Sequence, residues 1–206
     1  MAARHGSPWP GTLAAGAALV LGAWLLHGGQ ILPPVPTAAQ GFDVHGAPIV
    51  VAPPMRRAVP TRIRIPAVGV DAPVTRLALG ADGALQPPPE EDANLAGWYA
   101  AGTAPGQSGT AVLAGHVDNS KGPAVFYRLG SLHRGDRVEI TRDDRATARF
   151  SVDAVEVYPK KDFPDGKVYA AAPNAQLRLI TCGGGFTREG GYDGNVVVYA
   201  HLVAGG

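Results

Sequence analysis

Sulfur is scarce in this chain of 206 residues, which contains one cysteine and two methionines. A lone cysteine excludes an internal disulfide bond, and it excludes the zinc sites that are built from cysteine pairs. Three interpretations remain for Cys182: a small core residue, half of an intermolecular bridge, or a reactive nucleophile.

Charge is also sparse, because charged residues make up 17% of the chain and the formal net charge is +1. Acidic and basic residues are interspersed, whereas nucleic-acid binding requires a clustered basic surface. We therefore expect no nucleic-acid partner. The six histidines are dispersed, so we also expect no metal and no other cofactor. A calcium site at Glu90, Glu91 and Asp92 is the alternative to a solvated acidic face.

The longest uncharged run lies near the N-terminus and reads TLAAGAALVLGAWLL, residues 12–26. Extended to residues 9–32, it reaches the length of about 20 residues that a bilayer crossing needs. Arg4 precedes the run without a nearby acid, which favours a cytoplasmic N-terminus at residues 1–8 and an exported main domain. We therefore expect a single-pass anchor in the cell membrane with an extracellular domain. A signal segment cleaved near residues 37–40 is the alternative.

Residues 33–59 are rich in proline and show little periodicity, so we interpret them as a semi-extended linker. The folded domain is expected at residues 60–206, where glycine and proline punctuate short apolar or alternating runs. The runs predict strands at 61–68, 72–79, 109–117, 136–141, 148–159, 175–182 and 195–203.

Seven or eight strands of this kind favour a mainly β fold, a closed or nearly closed barrel. A slip in the alternation near Ala154 predicts a β-bulge. Helical stretches are scarce, and only residues 91–99 and 122–132 are expected to hold a helical turn or two.

Two of the apolar runs end in reactive side chains, His116 after TAVLAG and Cys182 after LRLIT. If these strands are parallel neighbours, both side chains emerge at the same rim of the barrel. An imidazole beside a thiol takes its proton or stabilises the thiolate, which is the minimum for covalent acyl transfer. Arg188 is the only basic side chain between Cys182 and His201, and its guanidinium is a candidate donor to a developing oxyanion.

Three motifs, LAGHVD (113–118), LITCGGGF (179–186) and NVVVYAH (195–201), together resemble those of the sortases. These are membrane-anchored cysteine transpeptidases of Gram-positive bacteria. Residues 96–118 and 126–140 are similar to the actinobacterial class F, and the resemblance covers about residues 60–203.

The resemblance implies an eight-stranded β-barrel that cleaves an LPXTG-type sorting signal between Thr and Gly. A thioacyl enzyme then reacts with an amine of the cell wall, such as a peptidoglycan precursor. The partners implied are therefore proteins with a sorting signal, an amine acceptor and the membrane.

Carried over by position, His116 matches the family's histidine and Cys182 its nucleophile. Many relatives place an arginine close to the aromatic residue of the last loop, but this loop reads FTREGGYDGN. Arg188 is the candidate by elimination, and Arg178 is the alternative because it shares a strand face with Cys182.

Asp118 and the glycines after Cys182 each have two possible interpretations. Asp118 either orients the imidazole of His116 or caps a turn. The glycines at 183–185 either offer N–H groups to an oxyanion or form a flexible turn. Two other functions also remain, a different cysteine acyltransferase such as an L,D-transpeptidase, and a non-catalytic domain that binds a wall polymer or partner.

Overall fold

The computed structural model describes residues 32–43 and 50–204. The segment interpreted as a cytoplasmic N-terminus and nearly all of the apolar segment lie outside the described residues. In the described ranges, no helix combines the length and hydropathy that a membrane crossing requires. Pro33–Gly206 forms one compact unit.

Eight strands close into a barrel in the order β1-β2-β3-β4-β9-β10-β8-β7, and two very short strands, β5 and β6, form a separate hairpin. The prediction of a mainly β, eight-stranded barrel with short helices is confirmed. The bounds are β1 Pro60–Ile65, β2 Val70–Leu77, β3 Ala96–Tyr99, β4 Gly109–Gly115, β5 Asp118–Asn119, β6 Gly122–Pro123, β7 Arg137–Arg142, β8 Thr147–Pro159, α1 Asp165–Val168, β9 Ala175–Thr187 and β10 Gly191–Leu202. Single 3-10 turns lie at Ala38–Gln40, Pro66–Val68, Leu129–Ser131 and Lys160–Asp162.

Alternation of side chains along the strands fills the barrel interior. In β1, Ile63 and Ile65 are fully buried, whereas Arg62 and Arg64 between and beside them are exposed. The longer strands repeat this pattern, since Leu177 and Leu179 of β9 lie in the same core. Each buried Leu or Ile contributes about 1.5–3 kcal/mol, so this interior holds the strands that carry the reactive side chains.

One expectation about helices is wrong. Residues Ala96–Tyr99, expected to belong to a helical turn, form β3 between β2 and β4. Trp98 explains the difference, because its ring is fully buried and its indole N–H donates to the carbonyl of Thr103 at 2.9 Å. The bulge expected near Ala154 is confirmed, since the pairing of β8 with β10 shifts register between Ala154 and Val152.

The first described part of the proline-rich segment, residues 33–43, lies against the barrel. Gln40 is 5% exposed, and its amide donates to the carbonyls of Gly130 and Leu132 at 2.8 and 2.7 Å. A Cβ added to Gly130 would lie 1.8 Å from the carbonyl oxygen of Pro34. The close contact therefore requires glycine at position 130.

Residues 50–59 also contact the barrel. The backbone N–H of Ala52 donates to the carbonyl of Leu202, and that of Met55 donates to the carbonyl of Gly106. The guanidinium of Arg57 donates to the carbonyls of Ala100 and Gly102 and lies 5.4 Å from the centre of the Trp98 ring. The described residues of the segment interpreted as a linker thus pack on the domain and do not extend away from it.

Replacing Gln40 by alanine should lower the free energy of unfolding by about 1–3 kcal/mol, because two buried carbonyls lose their donor. Urea denaturation of the full chain measures the change. Gln86→Ala is the matched control, because Gln86 is exposed and its side-chain amide donates to nearby Ala84 at the long distance of 3.4 Å. This variant should stay within about 0.5 kcal/mol of the parent. Equal stability of the two variants would show that the 33–43 segment does not support the barrel.

Candidate active site

A groove with a volume of about 840 Å³ contains both reactive side chains that the sequence singled out. Its walls come from the β2–β3 loop, from β4 and β9, and from the region of α1. The lining residues that matter for the chemistry and the substrate are Leu79, Leu85, His116, Tyr169, Ile180, Thr181, Cys182 and Asn195.

His116 and Cys182 meet because β4 and β9 are parallel neighbours in register. Ala114 pairs with Ile180, so His116 and Cys182 each follow this pair by two residues, and both line the groove. The hydroxyl of Thr181 donates to the carbonyl of Gly115 at 2.9 Å and joins the two strands just before the reactive positions. The prediction that the two runs are parallel neighbours is confirmed. Cys182 is partly exposed in the groove, unlike a core thiol.

The imidazole of His116 is oriented by the β2–β3 loop. Its Nε2 lies 2.7 Å from the carbonyl oxygen of Pro88. A carbonyl only accepts, so Nε2 is the nitrogen that carries the proton in the neutral ring. The other nitrogen, Nδ1, therefore remains to exchange a proton during a reaction. Asp118, the orienting residue considered from the sequence, bonds to Tyr192, whereas the hydrogen bond that orients His116 among the described residues goes to Pro88.

The three glycines after Cys182 set the register of the next hairpin. Tyr192 pairs with Phe186, whereas Gly194 pairs with Gly183, so β9 holds one more residue than β10 in this interval. Gly184 has φ +86°, and the N–H of Gly185 donates to the carboxylate of Asp193 at 2.7 Å. This is a bulge with a structural reason for glycine. It shifts the pairing by one residue and places Asn195 opposite Cys182.

A model of the sortase domain matches residues 63–203, which is more than half of the chain. The chain belongs to the sortase family. None of the curated proteins matches it.

Solved sortases share the fold. Sortase A from Corynebacterium diphtheriae is 24% identical with a TM-score of 0.54, and the match covers 73% of this chain and 63% of that one. Sortase A from Listeria monocytogenes is 20% identical, with a TM-score of 0.52 and coverage of 72% and 89%. A Clostridium perfringens sortase D5 transpeptidase is 20% identical, with a TM-score of 0.51 and coverage of 71% and 79%. This sortase thus spans under two thirds of the Corynebacterium chain.

The two arginines considered for this sortase both lie outside the groove. Arg188 is exposed in the turn that joins β9 to β10. Six residues of extended chain correspond to roughly 20 Å from Cys182. Among the described residues, the groove lining includes no arginine and no lysine. The catalytic role of Arg188 stays a prediction.

Arg178 lies on the outer face of β9. It is 6% exposed, with its guanidinium 4.4 Å from the centre of the Tyr199 ring and bonded to Leu177 and Gln176. Burial lowers the pKa of this guanidinium. The nearby phenol of Tyr199 raises it and offsets part of the effect. These contacts give Arg178 a packing role.

A hydrogen bond between Tyr192 and Asp118 ties the base of the β9–β10 hairpin to the loop after His116. The hydroxyl donates to the carboxylate at 2.5 Å. Burial, and then this bond, raise the pKa of Tyr192 well above its ordinary value. The hydroxyl therefore remains protonated and acts as a donor at neutral pH. The turn-forming residues at 118–122 suggested that Asp118 caps a turn, but nothing in the sequence indicated its bond to Tyr192.

Tyr192→Phe should lower the free energy of unfolding by about 1–2 kcal/mol, because the Asp118 carboxylate loses its donor. A double-mutant cycle with Asp118→Ala measures the coupling, and the two losses should be clearly less than additive. Tyr169→Phe is a matched control, because Tyr169 is 46% exposed. Additive losses would contradict a direct bond.

Proposed function

We propose that this sortase is a membrane-anchored cysteine transpeptidase. It cleaves LPXTG-type sorting signals between Thr and Gly and transfers the acyl group to an amine of the cell wall. The observation that supports the proposal is the parallel pairing of β4 with β9, because His116 and Cys182 both lie just beyond the last paired residues and both line one groove.

The reaction has two acyl transfers. The thiolate of Cys182 attacks the carbonyl carbon of the signal's Thr, and the carbonyl π electrons move to oxygen. Collapse of this tetrahedral species breaks the Thr–Gly C–N bond, and the leaving amine takes a proton from the imidazolium of His116. A wall amine then attacks the thioester, loses a proton to His116 and expels the Cys182 thiolate.

The groove supports an extended substrate with apolar side chains. Leu79 and Leu85 from the β2–β3 loop and Ile180 from β9 line it, and they offer apolar surface to the Leu and Pro of the signal. Leu79 is 48% exposed, so it offers apolar surface at the groove. A peptide in the groove would cover it.

The subclass, the anchor and the location are parts of the same proposal and rest on the sequence. Residues 96–118 and 126–140 support class F, as in actinobacteria. The uncharged run at 12–26 after Arg4 supports an anchor at residues 9–32 in the cell membrane, with the catalytic domain outside. Proteins with sorting signals and a peptidoglycan precursor are the proposed partners.

The direct test mixes the full chain with an LPXTG-type peptide and measures the intact protein mass. Wild type should gain the mass of the peptide's N-terminal acyl portion, whereas Cys182→Ala should gain nothing. His116→Ala should lower the rate of acylation by about 10²–10⁴-fold, as expected for loss of a general acid–base. His133→Ala is the matched control, because His133 is exposed and does not line the groove.

Two outcomes would contradict the proposal. Peptide cleavage by Cys182→Ala at the wild-type rate would remove the nucleophile role. No adduct and no cleavage with wild type, across peptides with varied signal residues, would favour a domain that binds a wall component without cutting it.

A further inference from the structure

The reaction proposed above places a negative charge on the substrate's carbonyl oxygen beside Cys182. Enzymes stabilise such a charge with fixed hydrogen-bond donors. In this protein the groove lining offers no guanidinium or ammonium group among the described residues. Within this lining, the side-chain and backbone groups that could serve as the donor therefore carry neither a guanidinium nor an ammonium charge.

Most donors around Cys182 are already engaged. The hydroxyl of Thr181 donates to Gly115, and the N–H of Gly185 donates to Asp193. Nε2 of His116 donates to Pro88, and the hydroxyl of Tyr192 donates to Asp118. Each of these bonds holds the site in shape, and each would have to break before its donor reached an oxyanion.

Asn195 differs from these residues. Its side chain lines the groove and has no hydrogen-bond partner in the described part of the chain. It is the cross-strand partner of Cys182 on β10. Side chains of directly opposed residues lie on the same face of a sheet, with Cβ atoms about 5 Å apart.

The β-bulge in the β9–β10 hairpin determines which residue of β10 lies opposite Cys182. Without the bulge at Gly184 and Gly185, the hairpin register set by Tyr192 and Phe186 would put Val196 opposite Cys182. On its other side, Asn195 pairs with Tyr158 of β8, so its backbone lies within the barrel wall. The fixed backbone sets the position of the Asn195 Cβ, so the amide needs only rotation about its side-chain bonds to reach the substrate.

We propose that Asn195 is a catalytic residue, with its Nδ2–H donating to the carbonyl oxygen as that oxygen becomes negative. The inference rests on the proposed acyl transfer at Cys182. The amide binds the oxyanion through both tetrahedral species, with no proton transferred and no bond to the substrate. In this protein it takes the role that the sequence predicted for Arg188.

The experiment measures single-turnover acylation of the full chain by the LPXTG-type peptide, followed by intact mass. Asn195→Ala and the nearly isosteric Asn195→Asp both remove the donor. Each should lower the acylation rate constant by about 10²–10³-fold, the usual loss for one oxyanion donor, while the peptide concentration for half-maximal rate stays within about threefold. Asn94→Ala is the matched control, since Asn94 is exposed and bonds to Asp71 outside the groove.

The outcomes separate this inference from the proposed function. Acylation of Asn195→Ala at the wild-type rate would overturn the role of Asn195 and leave the transpeptidase intact. A larger loss in Arg188→Ala than in Asn195→Ala would return the role to Arg188. If wild type itself forms no acyl enzyme, the proposed function fails and the inference fails with it. Melting temperatures of all variants, expected within a few degrees of wild type, show that a rate loss is not unfolding.

Discussion

The arrangement of this site depends on one constraint, the in-register parallel pairing of β4 with β9. Leu113 and Leu179 pair at the same level in the barrel wall and are fully buried, so a slip of either strand by one residue would turn its core side chains to the outside. The hydroxyl of Thr181 adds a direct bond to Gly115 near the strand ends. The hydrophobic core therefore fixes the level at which His116 and Cys182 emerge.

Around these two residues, hydrogen bonds fix the surrounding loops. The carbonyl of Pro88 selects the tautomer of His116, and the Asp118 carboxylate holds Tyr192. The β2–β3 loop and the β9–β10 hairpin are thus both tied to the site. Preorganised groups of this kind need little rearrangement when charge develops, which is the main way that enzymes stabilise a transition state.

The sequence predicted those features that depend on local pattern. Alternating and apolar runs predicted every barrel strand except β3. Because His116 and Cys182 each follow an apolar run, the sequence also predicted that they lie at the same rim of the barrel. The position of Asn195 was not predictable, because a regular hairpin would have placed Val196 opposite Cys182. The bond from His116 to Pro88 joins residues 28 positions apart, and nothing in the PPPEED stretch indicates it. The packing of Gln40 was also missed, because proline-rich composition favours an extended linker.

Alkylation of Cys182 measures directly whether His116 activates this thiol, and the single cysteine makes the label specific. The measurement is the rate of reaction with iodoacetamide at neutral pH in the native full chain, in native His116→Ala and in the unfolded chain. Native wild type should react severalfold faster than the other two, because an imidazole beside the thiol can take its proton as the sulfur attacks the reagent. Equal rates in native wild type and His116→Ala would show that the two side chains do not work together.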